Sequence, residues 1–169
     1  GTHSGFSIGG APNDAEDEPA VPSASDIYVM GNTVAGFFGY AAHFAGCVDC
    51  EFSDNTIYDT VAMAQVGTDP AIRSGDSQYD DETLTTNAIM RRNVMRFAPV
   101  DSTPAQGDET YAIYVSNTTE TTGMVCADNR YISNSGTSPQ FEWGIGTTQT
   151  LTQFRTSSGT CTSDTIVTP

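Results

Sequence analysis

The feature that most restricts how this chain can fold is a motif recurring four times around an asparagine. The copies are Ile27-Tyr-Val-Met-Gly-Asn32-Thr-Val34, Cys50-Glu-Phe-Ser-Asp-Asn55-Thr-Ile57, Ala88-Ile-Met-Arg-Arg-Asn93-Val-Met95 and Met124-Val-Cys-Ala-Asp-Asn129-Arg-Tyr131. Counted from each Asn, position −5 holds Ile27, Cys50, Ala88 and Met124, position −3 holds Val29, Phe52, Met90 and Cys126, and position +2 holds Val34, Ile57, Met95 and Tyr131. Alternating apolar residues mark strands with one buried face. Each copy therefore reads as a strand, a polar corner ending in Asn, and a second strand. Asn tolerates left-handed backbone better than other non-glycine residues, and its amide can stack on an identical amide. We expect left-handed geometry at each Asn and all four asparagines in one line.

The asparagines are separated by 23, 38 and 36 residues. The first interval is about one coil of a three-sided parallel solenoid; the longer two fit one coil carrying an insertion. A third strand per coil is visible in Phe6-Ser-Ile8, Ala42-His-Phe44, Ala64-Gln-Val66 and Ile113-Tyr-Val115. The fold expected is all-β: a right-handed single-stranded parallel β-helix of four to five coils. Residues 1–135 would form the coils, with insertions near 11–25, 68–86 and 99–110. Residues 136–169 would pack over the last coil through Phe141, Trp143, Leu151 and Phe154, with residues 148–156 the best helical segment. A β-sandwich would show hairpin turns rather than a repeated Asn corner.

Charge removes whole classes of function. Of 169 residues, 21 are acidic and 6 basic, for a net charge of −15, and every basic residue is arginine. A phosphate-binding nucleic-acid partner and an anionic membrane surface are both disfavoured. Without lysine there is no lysine base, Schiff base or P-loop. No apolar run is long enough to span a bilayer. The four cysteines, Cys47, Cys50, Cys126 and Cys161, permit two disulfides in an oxidising compartment, or a four-thiolate zinc site built on Cys47-Val-Asp-Cys50. A Cys47–Cys50 bridge would need a tight turn at Val48-Asp49. These features together point to an extracellular or cell-surface protein. The chain opens Gly1-Thr2-His3-Ser4, as expected of a processed chain or a piece of a longer one, and enters a coil directly, so its first coil should be covered by upstream residues or by a neighbouring molecule, the latter through self-association at the open coil end.

Gly5-Phe-Ser-Ile-Gly-Gly10, Ala45-Gly-Cys-Val-Asp-Cys50 and Asp54-Asn-Thr-Ile57 resemble segments of secreted bacterial right-handed parallel β-helix proteins, the pectate-lyase-like superfamily. The tail, Leu151-Thr-Gln-Phe154 through Ser163-Asp-Thr-Ile166 to Pro169, resembles the segment that leaves the last coil in that group. The resemblance implies a fold, and it implies chemistry on polysaccharide: binding, and lyase-type cleavage in which Arg or Lys abstracts the proton α to a uronate carboxylate.

Lysine being absent, the lyase candidates are Arg91, Arg92 and Arg96 around the Asn93 corner, with Arg91 pointing outward because Met90 points in. The competing reading pairs these arginines with carboxylates such as Glu51 and Asp54. Ser7, His43, Gln65 and Tyr114 fall in one outward column of the third strand, a polar ridge with an aromatic member of the kind that binds sugars. No cofactor is required. Calcium is the cation that clustered oxygens would suit, at Asp76, Asp80, Asp81 and Glu82, or at Asn13, Asp14, Glu16, Asp17 and Glu18; neither spacing is that of an EF-hand. The function expected is interaction with polysaccharide at the cell exterior. The alternative is a non-catalytic structural or adhesin-type solenoid, a fibre or spike shaft.

Overall fold

The computed structural model describes residues 6–9, 24–35, 40–58, 62–66, 85–96, 111–115, 121–133, 138–144 and 148–168. These residues form an all-β arrangement of four parallel sheets with one short helix. Sheet I comprises Phe6–Gly9, Tyr40–Ala45, Ala62–Val66, Tyr111–Val115 and Gln140–Trp143, all parallel, with Thr148–Gln149 antiparallel at its end. Sheet II stacks the two-residue strands Ala24–Ser25, Cys47–Val48, Thr85–Thr86 and Thr121–Thr122. Sheet III stacks Tyr28–Met30, Glu51–Ser53, Ile89–Arg91 and Val125–Ala127. Sheet IV stacks Thr33–Ala35, Thr56–Tyr58, Val94–Arg96, Arg130–Ile132 and Thr165–Val167. The first four repeats visit the four sheets in the same order, the last strands add only to sheets I and IV, and each parallel strand pairs with its counterpart one repeat away.

The register follows the sequence repeat. Val29 lies opposite Phe52, Phe52 opposite Met90, and Met90 opposite Cys126. At position +2, Val34, Ile57, Met95 and Tyr131 are likewise partners and are all buried. These columns are the core, extended from sheet I by Phe44, Ile113, Val115 and Phe141. Each large side chain removed from water contributes about 1.5–3 kcal/mol. The strands between corners are too short to hold a sheet alone, so the columns keep them in place.

The corners differ from the expectation in one respect. The left-handed residue is not the Asn but the residue before it: Gly31 (φ 69°), Asp54 (55°), Arg92 (54°) and Asp128 (59°). A second left-handed corner, five residues earlier, separates sheets II and III at Asp26, Asp49, Asn87 and Gly123. The chain turns at these residues, and Asn, one place on, is left to direct its amide along the stack. At Gly123 the choice is steric as well as conformational, because a Cβ there would collide with the Asn87 side chain. Sheet II and its corner differ from the sequence expectation: Ala24–Ser25 and Thr85–Thr86, at the ends of the expected insertions, are two of its four strands. The other insertion residues lie outside the described residues.

After the last strand of sheet I the chain forms helix α1, Leu151–Ser158. Thr150 caps it, accepting from the Gln153 N–H while Gln153 Oε1 accepts from the Thr150 N–H, and Gly159 (φ 70°) ends it. Its spacing of three puts Leu151 and Phe154 on one buried face, with the Phe154 ring 5.4 Å from Phe141 and 5.9 Å from Trp143. The tail does not then leave the stack, contrary to its resemblance to an exit segment. Cys161 N–H donates to Cys126 O, Thr165 N–H donates to Asn129 O, and Thr165–Val167 joins sheet IV. Cys161, Asp164 and Ile166 thus occupy the −3, Asn and +2 positions of a fifth repeat.

Candidate functional site

The asparagine column is a continuous hydrogen-bond ladder. The backbone N–H and Nδ2 of Asn32 donate to Asn55 Oδ1 (2.9 and 3.2 Å), those of Asn55 to Asn93 Oδ1 (3.0 and 3.1 Å), and those of Asn93 to Asn129 Oδ1 (both 3.0 Å). Sequence reading missed the last rung. Asn129 donates to Asp164, whose Oδ2 also accepts from the Tyr131 hydroxyl at 2.7 Å. Burial raises the Asp164 carboxyl above its ordinary value, against the opposing pull of these donors. Burial and the adjacent Asp164 push the Tyr131 hydroxyl well above its own. Arg155 completes the corner by donating Nε to Cys161 O and its terminal NH2 to Asp164 O.

The cysteines are bonded as Cys47–Cys50 and Cys126–Cys161. The first spans the left-handed Asp49 between sheets II and III; the second staples the −3 column across two repeats. A four-thiolate zinc site is therefore replaced by two separate bridges. Among the described residues, Cys126, Cys161 and Asp164 are the group close enough to share an ion, but the disulfide leaves neither sulfur as a thiolate. The acidic clusters at Asp76, Asp80, Asp81 and Glu82 and at residues 13–18 lie outside the described residues.

The three arginines proposed for lyase chemistry divide. Arg91 points outward, as Met90 points in, and is bidentate to the buried Glu51 through Nε–Oε1 (2.7 Å) and NH2–Oε2 (3.0 Å). Arg92 is bidentate to Asp54 (2.8 and 2.7 Å), and that guanidinium lowers the Asp54 carboxyl below its ordinary value. Arg92 and Asp54 hold the same position in adjacent repeats, whereas Arg91, opposite Ser53, reaches Glu51 diagonally. A guanidinium so engaged is a poor proton acceptor. Arg96 is different. It is exposed at the end of its strand, and no described carboxylate lies within ion-pair distance.

Ser7, His43, Gln65 and Tyr114 do share one column of sheet I, continued by Glu142. It is not an open ridge at the positions whose burial is described: His43 and Tyr114 are each 8% exposed and Glu142 3%. Sheet I is shielded on both faces around these residues. Among the described residues, the outward positions of sheet IV are more open. There position +1 holds Thr33, Thr56, Val94, Arg130 and Thr165, and position +3 holds Ala35, Tyr58, Arg96, Ile132 and Val167, on either side of a +2 column that is buried from Val34 to Tyr131. Tyr58, 39% exposed, is the direct neighbour of Arg96, and Arg130 is one rung further on, itself exposed and without a described carboxylate partner. Strands stack about 4.8 Å apart, so Tyr58 and Arg96 are adjacent in the +3 column, and Arg130 stands on the next strand of the same sheet in the +1 column. Composition points only to an acidic surface; this group emerges once the Asn register assigns faces.

Comparison of the chain with protein-family models, curated proteins and solved structures finds no match.

Proposed function

We propose that the chain is an extracellular right-handed single-stranded parallel β-helix of four to five coils, of the pectate-lyase-like kind, that binds polysaccharide on the outer face of sheet IV without cleaving it. The winding is supported by the same order of sheets in four successive repeats, and the compartment by the two disulfides. The observation that carries the binding reading is the group of Tyr58, Arg96 and Arg130. An aromatic ring stacks on the apolar face of a sugar, and a guanidinium fork donates to hydroxyl or carboxylate oxygens. Cleavage is not proposed, because Arg91 and Arg92 are committed to Glu51 and Asp54 and the third candidate, the exposed Arg96, is assigned to binding. The test is titration with uronate and neutral glycans, with and without calcium, following binding, reducing ends and the ultraviolet absorbance of unsaturated uronates. Binding without cleavage is expected, weakened about tenfold or more by Y58A or by R96Q with R130Q, as loss of one or two charge-assisted contacts would do. No binding to any glycan would overturn the reading. The continuous ladder favours the second reading, a structural shaft, which predicts that outcome.

A further inference from the structure

The asparagine ladder has a direction, and its two ends differ chemically. Each Asn donates toward the next repeat, and Asn55, Asn93 and Asn129 accept from the previous one. The second Nδ2 proton reaches back to the −3 carbonyl of the previous repeat: Asn55 to Val29 O (3.0 Å), Asn93 to Phe52 O (2.8 Å) and Asn129 to Met90 O (3.0 Å). The far end is finished. Asp164 accepts but has no amide to pass on, and its N–H is used by Cys161 O at 3.2 Å. The near end is not. Asn32 turns its Nδ2 to Met30 O of its own strand (3.0 Å), and among the described residues nothing donates to its Oδ1.

Burial marks the same edge. Ile27, Tyr28 and Met30 are 40%, 60% and 48% exposed, whereas Cys50, Glu51 and Ser53, which hold the same positions one repeat on, are 0%, 4% and 0% exposed. The alternation of a parallel ladder also turns the Tyr28 and Met30 N–H groups away from the neighbouring strand, since Ile27 O and Gly31 N–H are the groups bonded to it.

We infer that the edge formed by Tyr28–Met30 and Thr33–Ala35 is a docking surface for a strand–corner–strand segment of a partner protein, laid parallel and carrying Asn at its corner. The incoming Asn would give its N–H and Nδ2 to Asn32 Oδ1, and Asn32 Nδ2 would move from Met30 O to the incoming −3 carbonyl. This is strand addition to an open sheet edge, with the corner amide setting the register. Among the described residues, the corner column of a second copy of this chain offers no such donor. Its own first repeat presents another acceptor, and its last offers Asp164, which has no donor to spare.

The test uses hydrogen exchange and side-chain amide shifts of the full chain, titrated to millimolar with a synthetic peptide of the sequence Glu-Phe-Ser-Asp-Asn-Thr-Ile-Tyr, that of residues 51–58. Saturable slowing at the Tyr28 and Met30 amides, with a shift of the Asn32 amide, is expected. The peptide with Asp in place of its Asn should bind about tenfold more weakly, the ratio for one lost neutral hydrogen bond. The inference is overturned if neither peptide binds or both bind equally. It is also overturned if those amides are already protected in the free monomer, which would mean that the chain's own residues fill the edge. Sedimentation showing that protection arises with dimerisation would assign the edge to a second copy and overturn it too.

Discussion

Replacing Asn93 with Ala removes the centre of the ladder while leaving the strands around it intact. Asn93 is fully buried and its side chain makes four hydrogen bonds: it accepts from Asn55 N–H and Nδ2 (3.0 and 3.1 Å) and donates to Asn129 Oδ1 and Phe52 O (3.0 and 2.8 Å). At a net value of about 1 kcal/mol each, their loss costs about 4 kcal/mol. The Asn55 N–H is orphaned in the interior, so this figure sits toward the low end. Asn32 gives the internal comparison. Its side chain donates only to Met30 O and Asn55 Oδ1, in a half-exposed position where water can substitute, so N32A should cost less than about 1 kcal/mol. Urea unfolding of the oxidised chain, followed by circular dichroism and Trp143 fluorescence, measures both. Against a total stability of about 5–15 kcal/mol, the predicted difference is large. An N93A cost below about 1.5 kcal/mol, or one equal to that of N32A, would refute the claim that the ladder holds the repeats together.

Asp54 should titrate below its ordinary value of 3.8 because Arg92 bonds its charged form. Its stabilising contribution is then present above the unfolded value and lost as pH falls through the folded one. R92Q should move the Asp54 midpoint up in a carbonyl-detected titration, and an unmoved midpoint would mean that the pair is open in solution. Asp164 has the opposite sign. Its carboxyl is raised by burial, so its contribution is complete below the unfolded value near 3.8 and is lost as pH rises through the folded value. D164N should flatten that part of the stability–pH curve, and equal slopes in both proteins would contradict the assignment. Replacing Cys126 and Cys161 by Ser opens a 35-residue separation and should cost about 2–4 kcal/mol, whereas the Cys47–Cys50 bridge, across a separation of 3, should matter far less; the reverse order in urea unfolding would contradict the staple.

Much of the fold was legible because a stacked repeat imposes the same demand on each layer. Phe52, Met90 and Cys126 share no chemistry beyond being apolar, yet their distance from the next Asn is fixed, and that distance is the register. The −6 column, Asp26, Asp49, Asn87 and Gly123, is equally regular and equally a turn signal. It passed unread because the strands it introduces in sheet II are two residues long, too short to alternate. Asp164 was obscured by its chemistry. Read as Cys161-x-x-Asp164-Thr-Ile166 against Cys126-x-x-Asn129-Arg-Tyr131 it is a fifth copy, but an acceptor-only residue does not look like a ladder member until the ladder's direction is known. For the site, sequence could order Ser7, His43, Gln65 and Tyr114 into a column but not tell that His43 and Tyr114 are shielded. That depends on what lies over sheet I, which no local pattern encodes. Arg91 and Arg92 were separable from Arg96 only through register, which sets Glu51 beside Met90's neighbour and Asp54 beside the next corner.

The most direct test of the stacked register is a nitrogen-edited nuclear Overhauser experiment on the asparagine side-chain amides. The account predicts sequential contacts from Asn32 to Asn55, Asn55 to Asn93 and Asn93 to Asn129, ending at the Tyr131 hydroxyl beside Asp164. An adjacent pair without contact, or an Asn129 amide in contact with solvent in place of Asp164 and Tyr131, would contradict it.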